Sequence, residues 1–153
     1  MRRRLPLLLL VVAAAVVAGL LVLRGGEDDP FAGYCSEVAD RREDVGAALS
    51  AGATTGLLRA LPSFEALADR SPDDIRDDWR LVVTRISDLE DALDDAGVDP
   101  AAYRVEDPPP GLADDDRLAI EAAAVRLGSP ETATALARVE QQARDVCKTP
   151  LSL

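Results

Sequence analysis

Carboxylates are the residues of this chain best placed to do chemistry. The sequence holds 28 Asp and Glu residues and no histidine, the commonest general base and zinc ligand. Acidic side chains disfavour the negative C-terminal end of a helix, yet five of them crowd one predicted helix end: Glu90, Asp91, Asp94, Asp95 and Asp99. Oxygen-rich clusters beside free helix carbonyls suit hard cations. These five residues are therefore candidate ligands for a divalent cation; the alternative is that they only solvate an exposed helix end.

The two cysteines are the other reactive residues. Cys35 and Cys147 lie near the two ends of the sequence that follows residue 30. In an oxidising compartment such a pair predicts a structural disulfide, whereas in the cytosol it would more often belong to a redox or metal site. We expect the disulfide, which would place the first helix beside the last.

No pattern in the sequence indicates catalysis. With both cysteines oxidised no thiol nucleophile remains, and no Gly-x-Ser-x-Gly motif is present. Neighbouring carboxylates are expected by chance in so acidic a chain, so we predict neither an enzyme nor a cofactor. The net charge of −11 repels nucleic acid and anionic lipid head groups.

The first 24 residues predict where the rest of the chain lies. Three arginines precede an uncharged stretch over residues 5–23, and Arg24 follows it. A helix of that length can cross the ~30 Å hydrocarbon core of a membrane, with the arginines on the cytoplasmic side. We therefore predict a signal anchor over 1–24, an acidic linker over 25–30 and an extracytoplasmic domain over 31–153.

The alternative for this segment is a signal peptide that is removed, leaving a secreted protein. Cleavage sites need small residues after a shorter apolar run. The best candidate here is the bond after Ala18, which would leave an apolar stub. Lipoprotein processing is not expected, because Tyr34 precedes Cys35 where a small residue is needed. We favour an uncleaved, single-pass anchor in the cell membrane.

Hydrophobic periodicity in the domain predicts helices only. The predicted first helix covers about 30–50, a short second piece carries Leu57, Leu58 and Leu61, and Pro62 kinks it or restarts it over 63–69. Ser71 and Pro72 predict the N-cap and first residue of a third helix, which Gly97 ends. Its apolar stripe comprises Ile75, Trp79, Val82, Ile86, Leu89 and Leu93.

The remaining segments complete an all-α fold. Asp99 and Pro100 predict one helical turn through Tyr103, and the prolines in 104–111 predict an extended connector. A fourth helix from Asp114 to Leu127 and a fifth from Ser129 to about Thr149 follow. Their predicted apolar positions are Leu118, Ile120, Ala124 and Leu127, then Leu136, Val139, Ala143 and Val146. We predict an antiparallel bundle of about four main helices plus a short extra segment, closed by one disulfide.

Several segments resemble small exported or membrane-anchored helical proteins of high-GC actinobacteria. They are Tyr34-Cys35, the run from Ser71 to Trp79, the run from Ala96 to Pro100, and Val146-Cys147. The resemblance implies export and paired cysteines, and it carries over no catalytic or binding residues.

The functional prediction is a membrane-tethered module of the cell envelope with an interaction or structural role. Its partner would be an unknown envelope protein, or there would be none. An alternative is an extracytoplasmic protein that binds a small ligand or a divalent cation. An alanine-rich core leaves little volume for a ligand cavity, which argues against a carrier.

Overall fold

The computed structural model describes residues 29–101, 103–104 and 107–153. The predicted membrane segment over 5–23 lies outside these residues. Within the described part of the chain every regular element is helical, as predicted, and no helix there is long and apolar enough to span a bilayer. The helices are α1 (Ala32–Leu49), α2 (Ala53–Asp69), α3 (Arg76–Asp95), α4 (Asp114–Leu127) and α5 (Pro130–Gln142), and a π-helical turn (Ala143–Cys147) continues α5.

Helix α3 is the centre of the fold, and α2, α4 and α5 all pack against it. Its predicted stripe is confirmed: Trp79, Val82, Ile86, Leu89 and Leu93 are all buried. These positions alternate steps of three and four, so they form one continuous apolar face of the helix. Each neighbouring helix buries part of that face.

Helix α2 is longer than the sequence predicted. It runs without a break through Pro62, so the alternative in which the helix restarts at this proline was wrong. Pro62 is exposed, while Leu61 and Phe64 beside it are buried in the core. The ring of Phe64 lies 5.7 Å from that of Trp79 on α3. Burial of these side chains outweighs the one backbone hydrogen bond that proline removes.

The predicted start of α3 was also wrong. Ile75, not Ser71, is the N-cap residue, and it makes no side-chain cap. The hydroxyl of Ser71 instead donates to the carbonyl of Ala68, at 2.6 Å, and so closes the end of α2. Ser129 does cap α5 as predicted, because its Oγ accepts from the amide of Thr132 at 3.3 Å.

Helices α4 and α5 follow each other along α3 in the antiparallel direction. As the residue number rises in α4 and α5, the number of its partner falls along α3 and the turn before it. The pairs are Arg126–Asp88, Glu131–Arg85, Arg138–Asp78 and Gln142–Asp74. Helix α4 thus covers the C-terminal half of α3 and α5 its N-terminal half, so neither spans the full length of the central helix.

Of the predicted apolar positions of α4, Ile120 and Leu127 are confirmed as buried and Ala124 is half-buried. Ile120, Ala123 and Leu127 are buried, whereas Leu118 is exposed on the opposite side of the helix. In α5 the buried residues are Thr132, Ala135, Val139 and Gln142. Leu136 and Val146, predicted to line the core, are only half-buried.

Helix α1 is held near its start by a disulfide and near its middle by the C-terminal segment. Cys35 forms the predicted disulfide with Cys147, with their Cα atoms 5.0 Å apart. The C-terminal segment then follows α1: Leu151 is buried, and the amide of Leu153 donates to the carbonyl of Arg42 at 3.3 Å. The disulfide and this segment together hold α1 in place.

The connector between α3 and α4 contains the predicted single turn. The amide of Tyr103 donates to the carbonyl of Asp99 at 3.1 Å. The described residues from 103 to 113 form no regular helix or strand. Leu112 and Tyr103 are half-buried and pack against the core, which anchors the connector to the bundle.

Candidate functional site

The acidic end of α3 is the candidate cation site, and backbone hydrogen bonds occupy part of that helix end. Two carbonyls of this helix end are occupied: Gly97 donates to Asp94 at 2.9 Å, and Val98 donates to Leu93 at 2.9 Å. Gly97 has the left-handed conformation (φ 65°) that such a helix stop requires. The carbonyls of Leu93 and Asp94 are therefore already engaged by backbone amides.

The five carboxylates of this end also face different surroundings. Asp99 accepts from the amide of Ala101 at 2.9 Å and thereby caps its own turn. Glu90 is half-buried, and burial, followed by the charges of Asp94 and Asp91, raises its pKa above the ordinary carboxyl value. Within the described residues no three acidic or cysteine side chains are arranged to hold a metal ion. The structure therefore does not gather the candidate ligands into one site.

Two of the five candidate carboxylates, Asp91 and Asp95, border a groove of ≈ 470 Å³ between α3 and α4. Four of its lining residues are alanines and five are charged. The lining residues are Asp88, Asp91, Ala92, Asp95, Asp116, Ala119, Ala122, Ala123 and Arg126. Arg126 lies 3.8 Å from Asp88 across this groove.

A second polar concavity lies between the start of α3 and the end of α5, and we take it as the candidate functional site. It measures ≈ 360 Å³ and is lined by Asp74, Ile75, Asp78, Arg138, Gln141, Gln142 and Asp145. We refer to it as the α3–α5 cleft. Three of these residues are acidic and one is basic, so the cleft is net negative.

Polar contacts fix the side chains of the α3–α5 cleft. Arg138 donates to Asp78 at 3.3 Å, and Gln141 donates to both carboxylate oxygens of Asp145 at 2.8 Å. The Nε2 of Gln142 donates to Asp74 at 3.4 Å, while its Oε1 is buried without a hydrogen-bond partner. An unpaired buried acceptor costs stability, so Gln142 is held there by the packing of α5.

The π-helical turn after α5 helps to build this cleft. Residues 143–147 widen the helix at the point where Asp145 reaches the cleft and Cys147 reaches α1. Lys148 ends the turn in the left-handed conformation and its Nζ donates to the carbonyl of Asp145 at 2.6 Å. Single π turns are rare and often occur beside functional sites.

Sequence reasoning missed this cleft because its two sides are about 60 residues apart in the chain. One feature of the sequence does indicate the cleft. Gln142 occupies a position on the buried face of α5, three residues after Val139 and next to Ala143. A glutamine in an apolar stripe indicates a polar contact inside the fold.

The chemistry available in the α3–α5 cleft is electrostatic. Its carboxylates can accept hydrogen bonds from a cationic group such as an ammonium or guanidinium. Its side chains offer no thiol, no hydroxyl and no imidazole. The cleft is thus suited to contact with a basic surface.

Comparison with family models, with curated proteins and with solved structures found no match to this chain. Its function is therefore argued from its own residues.

Proposed function

We propose that this chain is a membrane-tethered helical module whose domain lies outside the cytoplasm and serves an interaction or structural role in the cell envelope. The observation that carries the proposal is the disulfide between Cys35 and Cys147. Structural disulfides persist in oxidising compartments and are rare in the cytosol. The arginine-flanked apolar stretch over 5–23 supplies the matching tether.

The shape and charge of the domain support an interaction role. The α3–α5 cleft and the α3–α4 groove are both open, shallow and bordered by charged side chains. Sites for small ligands are concave, mostly apolar and enclose most of the ligand. These two surfaces instead suit contact with a partner that presents basic groups.

Topology is the first test of the proposal. The full chain is expressed in a bacterial host, membranes are separated from soluble fractions, and the N-terminus of the recovered protein is sequenced. We expect membrane-bound protein that begins at or near Met1 and that an impermeant amine or carboxyl reagent modifies from outside the cytoplasm. A chain that begins between residues 19 and 31 would show that the segment is removed, and cytoplasmic protein with free thiols would overturn the proposal.

A matched pair of variants tests the interaction role. Asp74→Lys with Asp145→Lys reverses charge in the α3–α5 cleft, and Asp40→Lys with Asp44→Lys makes the same change of charge on the exposed face of α1. After crosslinking of intact envelopes, we expect the first variant to lose partners that the second retains. Equal recovery with both variants would remove the cleft from the proposed contact.

A further inference from the structure

The side-chain amide of Gln142 is a buried polar group in the wall of the α3–α5 cleft. The residue is 9% exposed, and its side chain lines the cleft beside Asp74. Its Nε2 donates to Asp74 at 3.4 Å, which is longer than the usual ~2.7–3.2 Å for such a bond. Its Oε1 has no hydrogen-bond partner among the described residues. One weak hydrogen bond is therefore all that fixes the orientation of this amide.

The three carboxylates of the cleft differ in how they are paired. Asp78 has a cation beside it, because Arg138 donates to it at 3.3 Å. Asp145 is engaged through both oxygens, which accept from Gln141 at 2.8 Å. Asp74 is exposed, forms no ion pair with the described residues and accepts only the long bond from the amide beside it. It is thus the carboxylate of the cleft that is open to a cation from outside.

Because its Oε1 lacks a partner, the amide of Gln142 can turn at little cost. A half turn about its terminal bond exchanges the positions of Oε1 and Nε2. The turn breaks only the weak bond to Asp74, since Oε1 makes no bond in its present position. Nε2 then takes the buried position, where an unpaired donor costs about as much as the unpaired acceptor that it replaces. Oε1 now lies beside the carboxylate of Asp74, and the two acceptors need a donor between them.

We propose that the α3–α5 cleft binds the guanidinium group of an arginine side chain on the partner, and that the amide of Gln142 turns to accept from it together with Asp74. The inference rests on the proposed function and names the group that the partner presents. A guanidinium carries its N–H donors side by side in one plane, so it can bond two adjacent acceptors at once. The donors of a lysine ammonium diverge, and its hydration shell is held more strongly. Gln142 thus favours arginine over lysine.

NMR of the side-chain amides tests this inference directly. Gln141 and Gln142 are the only glutamines and the chain has no asparagine, so its ¹H–¹⁵N spectrum contains two side-chain amide pairs. Gln141→Ala removes one pair and so assigns the other. The full chain, in a neutral detergent, is titrated with ethylguanidinium, with n-propylammonium and with tetramethylammonium, a cation that has no N–H donor. We expect ethylguanidinium to shift the Gln142 pair saturably, at about fivefold lower concentration than n-propylammonium, and tetramethylammonium to leave it in place.

Variants separate the roles of Asp74 and Gln142. Asp74→Asn is expected to abolish the binding of both N–H cations, whereas Asp44→Asn, on the exposed face of α1, should leave it unchanged. Gln142→Leu keeps the size of the side chain and removes the second acceptor. We expect the two cations then to bind equally, measured at the backbone amide of Ile75 in the cleft. A dispersed spectrum establishes that each variant is folded.

The inference and the proposed function can fail separately. Equal half-saturating concentrations of the two cations in the natural chain, or a preference for ethylguanidinium that survives Gln142→Leu, would overturn the role of Gln142. If Asp74→Asn still abolished binding in that case, the contact of the cleft with basic groups would stand. No saturable shift with either cation would overturn this inference, and the crosslinking of envelopes would decide the proposed function by itself.

Discussion

Tyr34 is the most deeply buried ionisable side chain described. It is 2% exposed, and its hydroxyl accepts a hydrogen bond from the indole Nε1 of Trp79 at 3.2 Å. Burial raises the pKa of Tyr34 to about 12, and the charge of Asp74 adds to the increase, while the bond from Trp79 opposes it. The neutral phenol is therefore strongly favoured in the folded protein.

This burial predicts a loss of stability at alkaline pH. Below pH 10 the phenol is protonated in both states, so the full contribution to stability is present. Between pH 10 and about 12 the unfolded chain loses its proton before the folded one, and folding weakens by about 2–3 kcal/mol on this account. Denaturant unfolding at several pH values measures the loss. Because Lys148 is the only lysine, few other groups titrate in this range.

Tyr34→Phe is the control for this prediction. It removes the ionisable group and leaves the indole donor of Trp79 unpaired, so the variant is less stable at neutral pH by about 1–3 kcal/mol. Its stability should then fall less steeply than that of the natural chain between pH 10 and 12. Parallel pH profiles would contradict the assignment to Tyr34.

The acidic end of α3 gives a second prediction at this scale. Backbone amides occupy the carbonyls of Leu93 and Asp94, and the amide of Ala101 engages Asp99. We expect calorimetric titration of the purified chain with Ca²⁺ or Mg²⁺ to show only heat of dilution at millimolar ion. Saturable heat that Asp91→Asn with Asp95→Asn abolishes would contradict this expectation.

Among the helices, the junction of α1 and α2 allows a direct test of close packing. A Cβ atom on Gly56 would lie 2.8 Å from the Cα of Leu49 and 3.0 Å from the carbonyl oxygen of Ala48. Both atoms belong to the backbone and cannot rotate away. Gly56→Ala is therefore expected to destabilise the fold by about 1–3 kcal/mol, measured by denaturant unfolding.

Gly33→Ala is the matched control, since Gly33 also lies in the first turn of its helix. A Cβ atom there meets no other atom within 4 Å. Alanine has the higher helix propensity, so this variant should be as stable as the natural chain or more stable by up to ~1 kcal/mol. Equal effects of the two substitutions would show that crowding at Gly56 is not the cause.

Two Ser-Pro pairs show how far the sequence predicts a helix start. The hydroxyl of Thr132 donates to the carbonyl of Arg126 at 3.0 Å, so it satisfies a carbonyl at the end of α4. The hydroxyl of Ser129 is therefore available to cap α5. The residue three places after Ser71 is Asp74, whose carboxylate cannot donate. Ser71 must itself donate to the end of α2, so it is not available as the cap of α3.

The sequence also predicts only some of the helix faces that pack into the core. The stripe of α3 could be predicted because polar residues occupy its other faces. Helix α4 is apolar on two sides, so periodicity alone cannot say whether Leu118 or Ala123 faces the core. The α3–α5 cleft could not be predicted either, because it depends on the antiparallel register of two helices that are distant in sequence.

For the molecule as a whole, the disulfide is the strongest single constraint. It joins residues 112 positions apart, and in the chain-entropy model it stabilises the fold by about 4–5 kcal/mol. Cys35→Ser with Cys147→Ser is therefore expected to lower the Tm by roughly 15 °C in a thermal unfolding scan. Reduction of the natural chain should give the same shift. If the unreduced, denatured protein reacts with a thiol reagent, the bond is absent.

The position of the disulfide also decides how the chain responds to tension. A pull between residues before Cys35 and residues after Cys147 passes through the sulfur atoms, so the 111 residues between them carry no load. Reduction would place these residues in series with the pull and add about 390 Å of extensible chain. With the bond intact, the helices keep their packing while force enters at Cys35 and leaves at Cys147, only 5.0 Å away between the two Cα atoms.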